Sequence, residues 1–96
     1  MSDRTVTESV RQALGDVQLP PLARLMMWHL AARLDVFEFR EVKLASIGSE
    51  MRIRETTAGQ MLTRLVAEGY LDEAPQRRPR AFRLMWSRRQ SRAIAA

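Results

Sequence analysis

The sequence predicts a mainly α-helical domain with a small β-hairpin near its carboxyl end. Two observations support this prediction. Between residues 42 and 71, apolar side chains recur at helical spacing in two short runs with a three-residue link between them. A segment that is rich in arginine and bounded by prolines follows, and it leads into alternating apolar and polar residues, as is typical of a hairpin. We expect these elements to share one modest core, because the chain has 96 residues.

The first helix is predicted from residue 5 or 7 to residue 14. Thr7 is a suitable N-cap, and Val6, Val10 and Leu14 recur every four residues on one face. A connector that contains two prolines follows this helix. We therefore expect a separate N-terminal helix ahead of the main pattern.

The second helix is predicted over residues 21–34, and its first proline suits a first helical turn. Met27 and Trp28 lie off the centre of its apolar stripe. That stripe, at a spacing suited to burial, comprises Leu22, Leu25, Met26, His29, Leu30, Arg33 and Leu34. Residues 36–40 alternate in part between apolar and polar side chains, which predicts a very short strand.

The third and fourth helices are predicted over residues 42–51 and 55–68. The link of residues 52–54 is too short for anything but a tight turn between them. Gly69 is typical of the position just after a helix, and residues 80–86 alternate as a returning strand would. These features predict a helix-turn-helix followed by a hairpin.

Charge is unevenly distributed along the chain, whose formal net charge is +5. Residues 1–41 hold five arginines and six acids, a net charge of −1, whereas residues 42–96 hold eleven basic side chains and five acids, a net charge of +6. From Gln76 onward there are seven arginines and no acid. A genomic bias toward arginine codons explains arginine in place of lysine, but it does not explain this segregation. The basic half therefore favours a polyanionic partner.

The outward face of the fourth helix is the candidate reading surface for duplex DNA. Helix-turn-helix proteins lay their second helix in a major groove about 12 Å wide. Glutamine and arginine side chains bond adenine and guanine edges, and threonine contacts phosphate or a thymine methyl group. Gly59 lies inside the predicted fourth helix, and two interpretations are open: another backbone approaches it closely, or glycine is merely tolerated there. The candidates on this face are Glu55, Thr56, Gly59, Gln60, Thr63 and Arg64.

Five further arginines complete the candidate site. Arg52 and Arg54 lie in the turn before the fourth helix, next to the expected path of a DNA backbone. Arg77, Arg78 and Arg80 lie in the predicted hairpin loop, where guanidinium groups can follow phosphates or enter a narrow minor groove.

The chain resembles the winged helix-turn-helix superfamily of bacterial and phage DNA-binding proteins, with the helix order of the MarR and GntR types, over about residues 22–86. It departs from the usual motif at Arg52, where these proteins have glycine, and at Arg54, where serine or threonine caps the recognition helix. The resemblance rests on the patterns Leu44-x-x-Ile47-x-x-x-Met51-x-Ile53 and Leu62-x-x-Leu65-x-x-x-Gly69-Tyr70-Leu71.

The resemblance implies a winged helix-turn-helix domain over residues 20–87, flanked by an N-terminal helix and connector over residues 1–19 and a basic tail over residues 88–96. Helix four would enter the major groove, and the hairpin would form a wing on flanking DNA. A homodimeric transcriptional regulator is the leading hypothesis, because two half-sites double the contact. The predicted dimer surface comprises Val6, Val10, Leu14 and Trp28.

Two alternatives remain open. One is a DNA-binding protein of phage or plasmid replication or packaging, and the other is a winged helix used for protein contact. No enzyme is expected, since His29 is the only histidine and the chain has no nucleophile, phosphate-binding or metal-ligand motif. Without cysteine or an apparent cofactor motif, no cofactor is expected.

The sequence also predicts a cytoplasmic location without a membrane contact. The first residues have no apolar region of the kind found in secretory signals, and no window approaches 18 consecutive apolar residues.

Overall fold

The computed structural model describes residues 7–88, and within this range the chain forms four helices and a three-stranded antiparallel sheet. The predicted mainly helical fold with a small β-hairpin is confirmed at this level. In chain order the elements are α1 (Glu8–Leu14), α2 (Pro21–Leu30), β1 (Arg40–Glu41), α3 (Leu44–Met51), α4 (Glu55–Ala67), β2 (Leu71–Glu73) and β3 (Ala81–Leu84).

The sheet places the hairpin strand β3 in its centre, in the order β1-β3-β2. Leu71 lies opposite Leu84 in the hairpin, and Arg40 lies opposite Phe82 on the other side. The N–H of Val42 donates to the carbonyl oxygen of Arg80 at 2.9 Å, which extends the pairing by one hydrogen bond. Consequently the hairpin is held to the helical part through β1, and α3 begins at residue 44 rather than at 42.

The strand predicted over residues 36–40 is confirmed only at its last residue, Arg40, where β1 begins. Asp35 Oδ1 accepts hydrogen bonds from the backbone N–H groups of Phe37 at 2.9 Å and Glu38 at 3.0 Å. This side-chain turn engages two N–H groups that a strand would offer to its neighbour. The strand therefore begins only at Arg40.

The helical core differs from the predicted stripe on α2. Leu25 is exposed, whereas Met27, predicted off the centre of the stripe, is fully buried with Met26 and Leu30. The reason is that α2 packs against both α1 and α4, which rotates its buried face toward Met27. The helix also ends at Leu30 rather than at residue 34, and a turn follows.

The first helix packs inward onto α2. Thr7 is its N-cap, as predicted, and its side chain accepts a hydrogen bond from the N–H of Val10 at 3.3 Å. Val10 is fully buried in this chain's own core, so it cannot contribute to the predicted dimer surface, while Leu14 remains partly exposed. Val6 lies outside the described residues.

A tight crossing joins α3 to α4. The N–H of Ile53 donates to the carbonyl oxygen of Gly48 at 2.8 Å, and a Cβ at Gly48 would lie only 2.9 Å from the oxygen of Ile53. Glycine at position 48 is therefore required by this close approach. Arg52 adopts the left-handed conformation with φ 59° and ψ 48°, a region of backbone conformation that favours glycine.

The end of α4 follows the predicted pattern. Gly69 has φ 87°, which favours glycine, and the N–H of Tyr70 donates to the carbonyl oxygen of Leu65 at 3.0 Å. The chain then enters β2 directly. This ending fixes the hairpin immediately beside the last turns of α4.

Candidate nucleic-acid interface

The helix α4 presents one polar face to solvent because its opposite face is buried. Ala58, Leu62 and Leu65 are fully buried in the core, as predicted. An open groove of about 450 Å³ lies on the other side, between α4 and the base of the hairpin. Its lining comprises Thr56, Gly59, Gln60, Thr63 and Arg80. Four of the predicted DNA-contact residues of α4 thus share one groove with one predicted hairpin residue.

The beginning of α4 carries two exposed arginines and one acid. Arg54 is the N-cap residue, but its side chain makes no capping hydrogen bond. Glu55 is exposed in the first turn, where its charge favours the helix dipole. Arg52 is exposed in the preceding turn. These two guanidinium groups form no ion pair with the part of the chain that the structure describes.

Arg80 lies at the base of the hairpin loop, directly before β3, rather than at the exposed tip. Its Nε and Nη2 atoms donate to the two carboxylate oxygens of Glu73, each at 2.8 Å. Nη2 also donates to Thr63 Oγ1 at 3.2 Å, and Nη1 donates to the carbonyl oxygen of Gly59 at 3.4 Å. The guanidinium carbon lies 5.0 Å from the centre of the Phe82 ring. Arg80 therefore links the hairpin to α4.

The pairing of Arg80 with Glu73 has an electrostatic signature on both partners. Hydrogen bonds from Arg80 hold the pKa of the Glu73 carboxyl below its usual value, against the opposing effect of burial. The same hydrogen bonds raise the pKa of Arg80. Both groups are therefore charged at neutral pH, and their charges cancel at the edge of the groove.

The hairpin tip carries the exposed cations. Arg77 and Arg78 are exposed, and Arg77 has a long 3.8 Å contact between its Nη2 and Oε2 of Glu41. Arg78 Nη1 donates to the carbonyl oxygen of Arg77 at 2.9 Å. The tip also contains a left-handed Gln76 and a cis peptide bond before Pro79. Two exposed guanidinium groups thus stand at the end of the hairpin, and each has only a long-range interaction with an acid, Arg77 with Glu41 and Arg78 with Glu73.

Arg64 does not belong to the groove, although the sequence analysis placed it on the same outward face. Its Nε donates to Glu68 Oε2 at 3.1 Å, and its Nη2 donates to the carbonyl oxygen of Gln18 at 3.2 Å. These contacts hold Arg64 at the carboxyl end of α4, against the connector after α1. The structure therefore separates Arg64 from the groove that Gln60 lines.

Gly59 is not sterically required inside this chain. A Cβ at this position would lie 3.5 Å from Leu44 Cδ1, which is an ordinary contact distance. The neighbouring helix α3 thus gives no reason for glycine here, in contrast to Gly48. Sequence reasoning missed Gly48, although a glycine inside the predicted third helix was a usable signal of close packing.

Other polar clusters lie outside the groove. His29 Nδ1 is 3.5 Å from Glu50 Oε1, and Arg33 pairs with the same carboxylate, between α2 and α3. Over residues 7–88 no cluster of three or more histidines or acids is arranged to hold a metal ion. None of the helices in that range has the length and hydrophobicity to cross a membrane.

Comparison of the chain with protein-family models, with curated proteins and with solved structures found no match. The geometry of the groove and of the arginines around it therefore carries the functional argument.

Proposed function

We propose that this chain is a winged helix-turn-helix protein that binds double-stranded DNA. In this proposal α4 is the recognition helix in the major groove, and the β2–β3 hairpin is the wing on flanking DNA. The observation that carries it is the groove shared by α4 and the hairpin, whose lining includes the polar side chains of Thr56, Gln60 and Thr63, together with the exposed arginines of the turn before α4 and of the hairpin tip. That arrangement suits a duplex, whose phosphates flank base edges.

The exposed residues divide naturally between two roles. Arg52, Arg54, Arg77 and Arg78 are suited to phosphate contacts, which fix position without reading sequence. Thr56, Gln60 and Thr63 expose hydroxyl and amide groups that can bond base edges. The helix crossing at Gly48 and the contacts of Arg80 hold these two sets in a fixed relation.

Fluorescence anisotropy with a generic labelled duplex tests the proposal. Between about 50 and 300 mM salt, we expect the logarithm of the binding constant to fall with a slope of roughly −4 to −8 against the logarithm of the salt concentration. Binding with this slope would justify selecting the preferred site from a random pool. Absence of binding to duplex at the lowest salt would refute the proposal.

A homodimeric transcriptional regulator is the form of this function that we favour, because one winged helix reads few base pairs and a symmetric pair doubles them. Sedimentation at about 50 µM tests the oligomeric state directly. A monomer both free and on DNA would exclude the homodimer, and would leave the replication or packaging role as the alternative for a DNA-binding chain.

The aromatic pair Phe37 and Trp86 favours one alternative, a winged helix that contacts another protein. Phe37 is 73% exposed and Trp86 is 65% exposed, and their ring centres lie 6.4 Å apart at a steep angle. Aromatic side chains are enriched at protein interfaces. Replacing both with serine should leave duplex binding unchanged under our proposal. If the variant still binds duplex but no longer reproduces the effect of the wild-type chain in the cells that make it, the protein-contact alternative is favoured.

A further inference from the structure

The groove between α4 and the hairpin differs from the surfaces around it in electrostatic character. The cation beside its floor, Arg80, is neutralised by Glu73 through two hydrogen bonds of 2.8 Å. The remaining lining residues are threonine, glycine and glutamine, which carry no charge. The groove therefore has no net charge, whereas the turn before α4 and the hairpin tip each carry two exposed arginines.

Arg80 has almost no hydrogen-bonding capacity left for a ligand. A guanidinium group has five N–H bonds. Two are directed at Glu73, one at Thr63 and one at the carbonyl oxygen of Gly59. One N–H on Nη1 remains, and Thr63, whose oxygen accepts from Arg80, keeps its own O–H for donation. The groove thus offers single donors rather than the paired N–H fork that grips a phosphate.

We propose that Glu73 is a specificity-determining residue, which excludes phosphate from this groove and reserves it for uncharged base edges of double-stranded DNA. This inference rests on the proposed function. The base edges would meet Thr56, Gln60 and Thr63, while phosphates are directed to the arginines of the turn and the hairpin tip.

The exclusion has a direct physical cause. Glu73 occupies the guanidinium fork of Arg80, so a phosphate in the groove could reach that fork only by displacing a like-charged carboxylate and breaking two charge-assisted hydrogen bonds. A base edge carries no charge, so it meets no such repulsion. Since phosphates are the same at every sequence, keeping them out of the groove lowers binding to random DNA more than binding to the preferred site.

The substitution Glu73→Gln tests this inference. Glutamine is similar in size and keeps one hydrogen-bond acceptor for Arg80, but it removes the negative charge. We expect affinity for a random duplex to rise about three- to tenfold, and the salt slope to steepen by about one, because Arg80 then binds one more phosphate. The ratio of affinities for the selected site and a random duplex should fall about threefold or more.

The matched control is Asp72→Asn in the same strand. Asp72 Oδ2 accepts hydrogen bonds or ion pairs from Arg83 at 3.1 and 3.0 Å, and Arg83 lies directly opposite it in the sheet. Neighbouring residues of a strand point to opposite faces, so this pair lies away from the groove. Asp72→Asn raises the net charge by the same amount as Glu73→Gln, and should leave both the salt slope and the affinity ratio unchanged.

The double variant Glu73→Gln/Arg80→Gln keeps the net charge of the wild-type chain and removes both charges from the groove. It should restore the wild-type salt slope, because no cation remains to take the extra phosphate. A salt slope as steep as that of Glu73→Gln would mean that a cation other than Arg80 takes the extra phosphate, and would overturn this inference.

The outcomes separate the two proposals. Equal salt slopes and affinity ratios for Glu73→Gln and Asp72→Asn, in a chain that binds duplex, would overturn the role of Glu73 and leave the DNA-binding function standing. Failure of the wild-type chain to bind duplex at about 50 mM salt would overturn both.

Discussion

The arginines of the exposed turn and hairpin tip differ from those that pair with acids at the base of the hairpin loop and just after α4. Arg77 and Arg78 are exposed, with at most one long contact to an acid. Arg80 and Arg88 are each bound to an acid through short contacts and lie beside an aromatic ring. Under the proposed function the same residue type would have two tasks, because an unpaired cation is free to release counterions from DNA whereas a paired one holds the fold together. A count of basic residues overstates the charge that is available to a partner.

The largest effect should come from removing the exposed cations. We expect Arg77→Gln/Arg78→Gln to weaken duplex binding by roughly 50-fold near 100 mM salt, because two phosphate contacts are lost, with a salt slope shallower by about two. Anisotropy titration at several salt concentrations measures both quantities.

The control for this pair is Arg11→Gln/Arg33→Gln, which lowers the net charge equally at exposed positions away from the groove. Its affinity should change less than about threefold. Similar losses in the two double variants would mean that overall charge, rather than the hairpin tip, governs binding.

Removing a paired cation should instead lower stability. We expect Arg80→Ala to reduce the free energy of unfolding by about 2 kcal/mol, because Glu73 is left partly buried without its partner and the contact with Thr63 is lost. Chemical denaturation measures this change. Arg78→Ala, which removes an exposed arginine, should have a free energy of unfolding within about 0.5 kcal/mol of the wild type. If both variants lose the same amount of stability, the paired and the exposed arginines do not differ in their contribution to the fold.

The hydrogen-bonded cluster of Tyr70, Asp16 and Arg88 is a second paired region, and its contribution to stability should depend on pH. The Tyr70 hydroxyl donates to Asp16 Oδ2 at 2.5 Å, beside Arg88. Burial, followed by this hydrogen bond, raises the pKa of Tyr70 from 10.0 to about 12. A raised folded-state pKa means that the stabilisation is fully present below pH 10 and is lost as pH rises toward 12.

We therefore expect Tyr70→Phe to cost about 1 kcal/mol at pH 7 and to flatten the decline in stability between pH 10 and 12. Thermal unfolding across this pH range measures both effects. The hydrogen bond from Tyr70 also lowers the pKa of Asp16. Its contribution to the stability of the fold is therefore present above pH 3.8 and is lost as the pH falls further. If the stability of Tyr70→Phe declines between pH 10 and 12 as steeply as that of the wild type, the decline is caused by titratable groups other than Tyr70.

The smallest effect concerns Gly59, whose carbonyl oxygen accepts from Arg80. Gly59→Ala should stabilise α4 by roughly 0.5–1 kcal/mol, because the added methyl group meets only an ordinary contact with Leu44. If a DNA backbone approaches this point, duplex affinity should fall even as the melting temperature rises. Unchanged affinity would mean that glycine is merely tolerated here. Loss of stability would contradict the space that the structure shows.

Local pattern predicted the helices well because each depends on nearby residues. The spacing of Ala58, Leu62 and Leu65 marked the buried face of α4, and Gly69 marked its end. The early start predicted for the first strand, at residues 36–39, was a local error of another kind. Apolar alternation suggested extended pairing, but the short side chain of Asp35 captured the N–H groups of the next residues.

The candidate site was predictable only in part. Thr56, Gln60 and Thr63 follow from the buried face of α4, since the opposite face must be exposed. Helical spacing does not predict which arginines are exposed and which pair with another segment of the chain. Arg64 meets the connector at Gln18, 46 positions away in the chain, and Arg80 meets Thr63 across the groove.

The sequence by itself determined the order of the elements, the buried face of α4, the glycine that ends it and the concentration of positive charge in the second half of the chain. These features depend on residue type and on contacts within a few positions. Tertiary structure decided which arginines stay exposed, that Met27 rather than Leu25 is buried, and that Glu73 neutralises Arg80 at the groove. The physical reason is that pairing and burial depend on which distant segments meet, and residue spacing does not encode that directly.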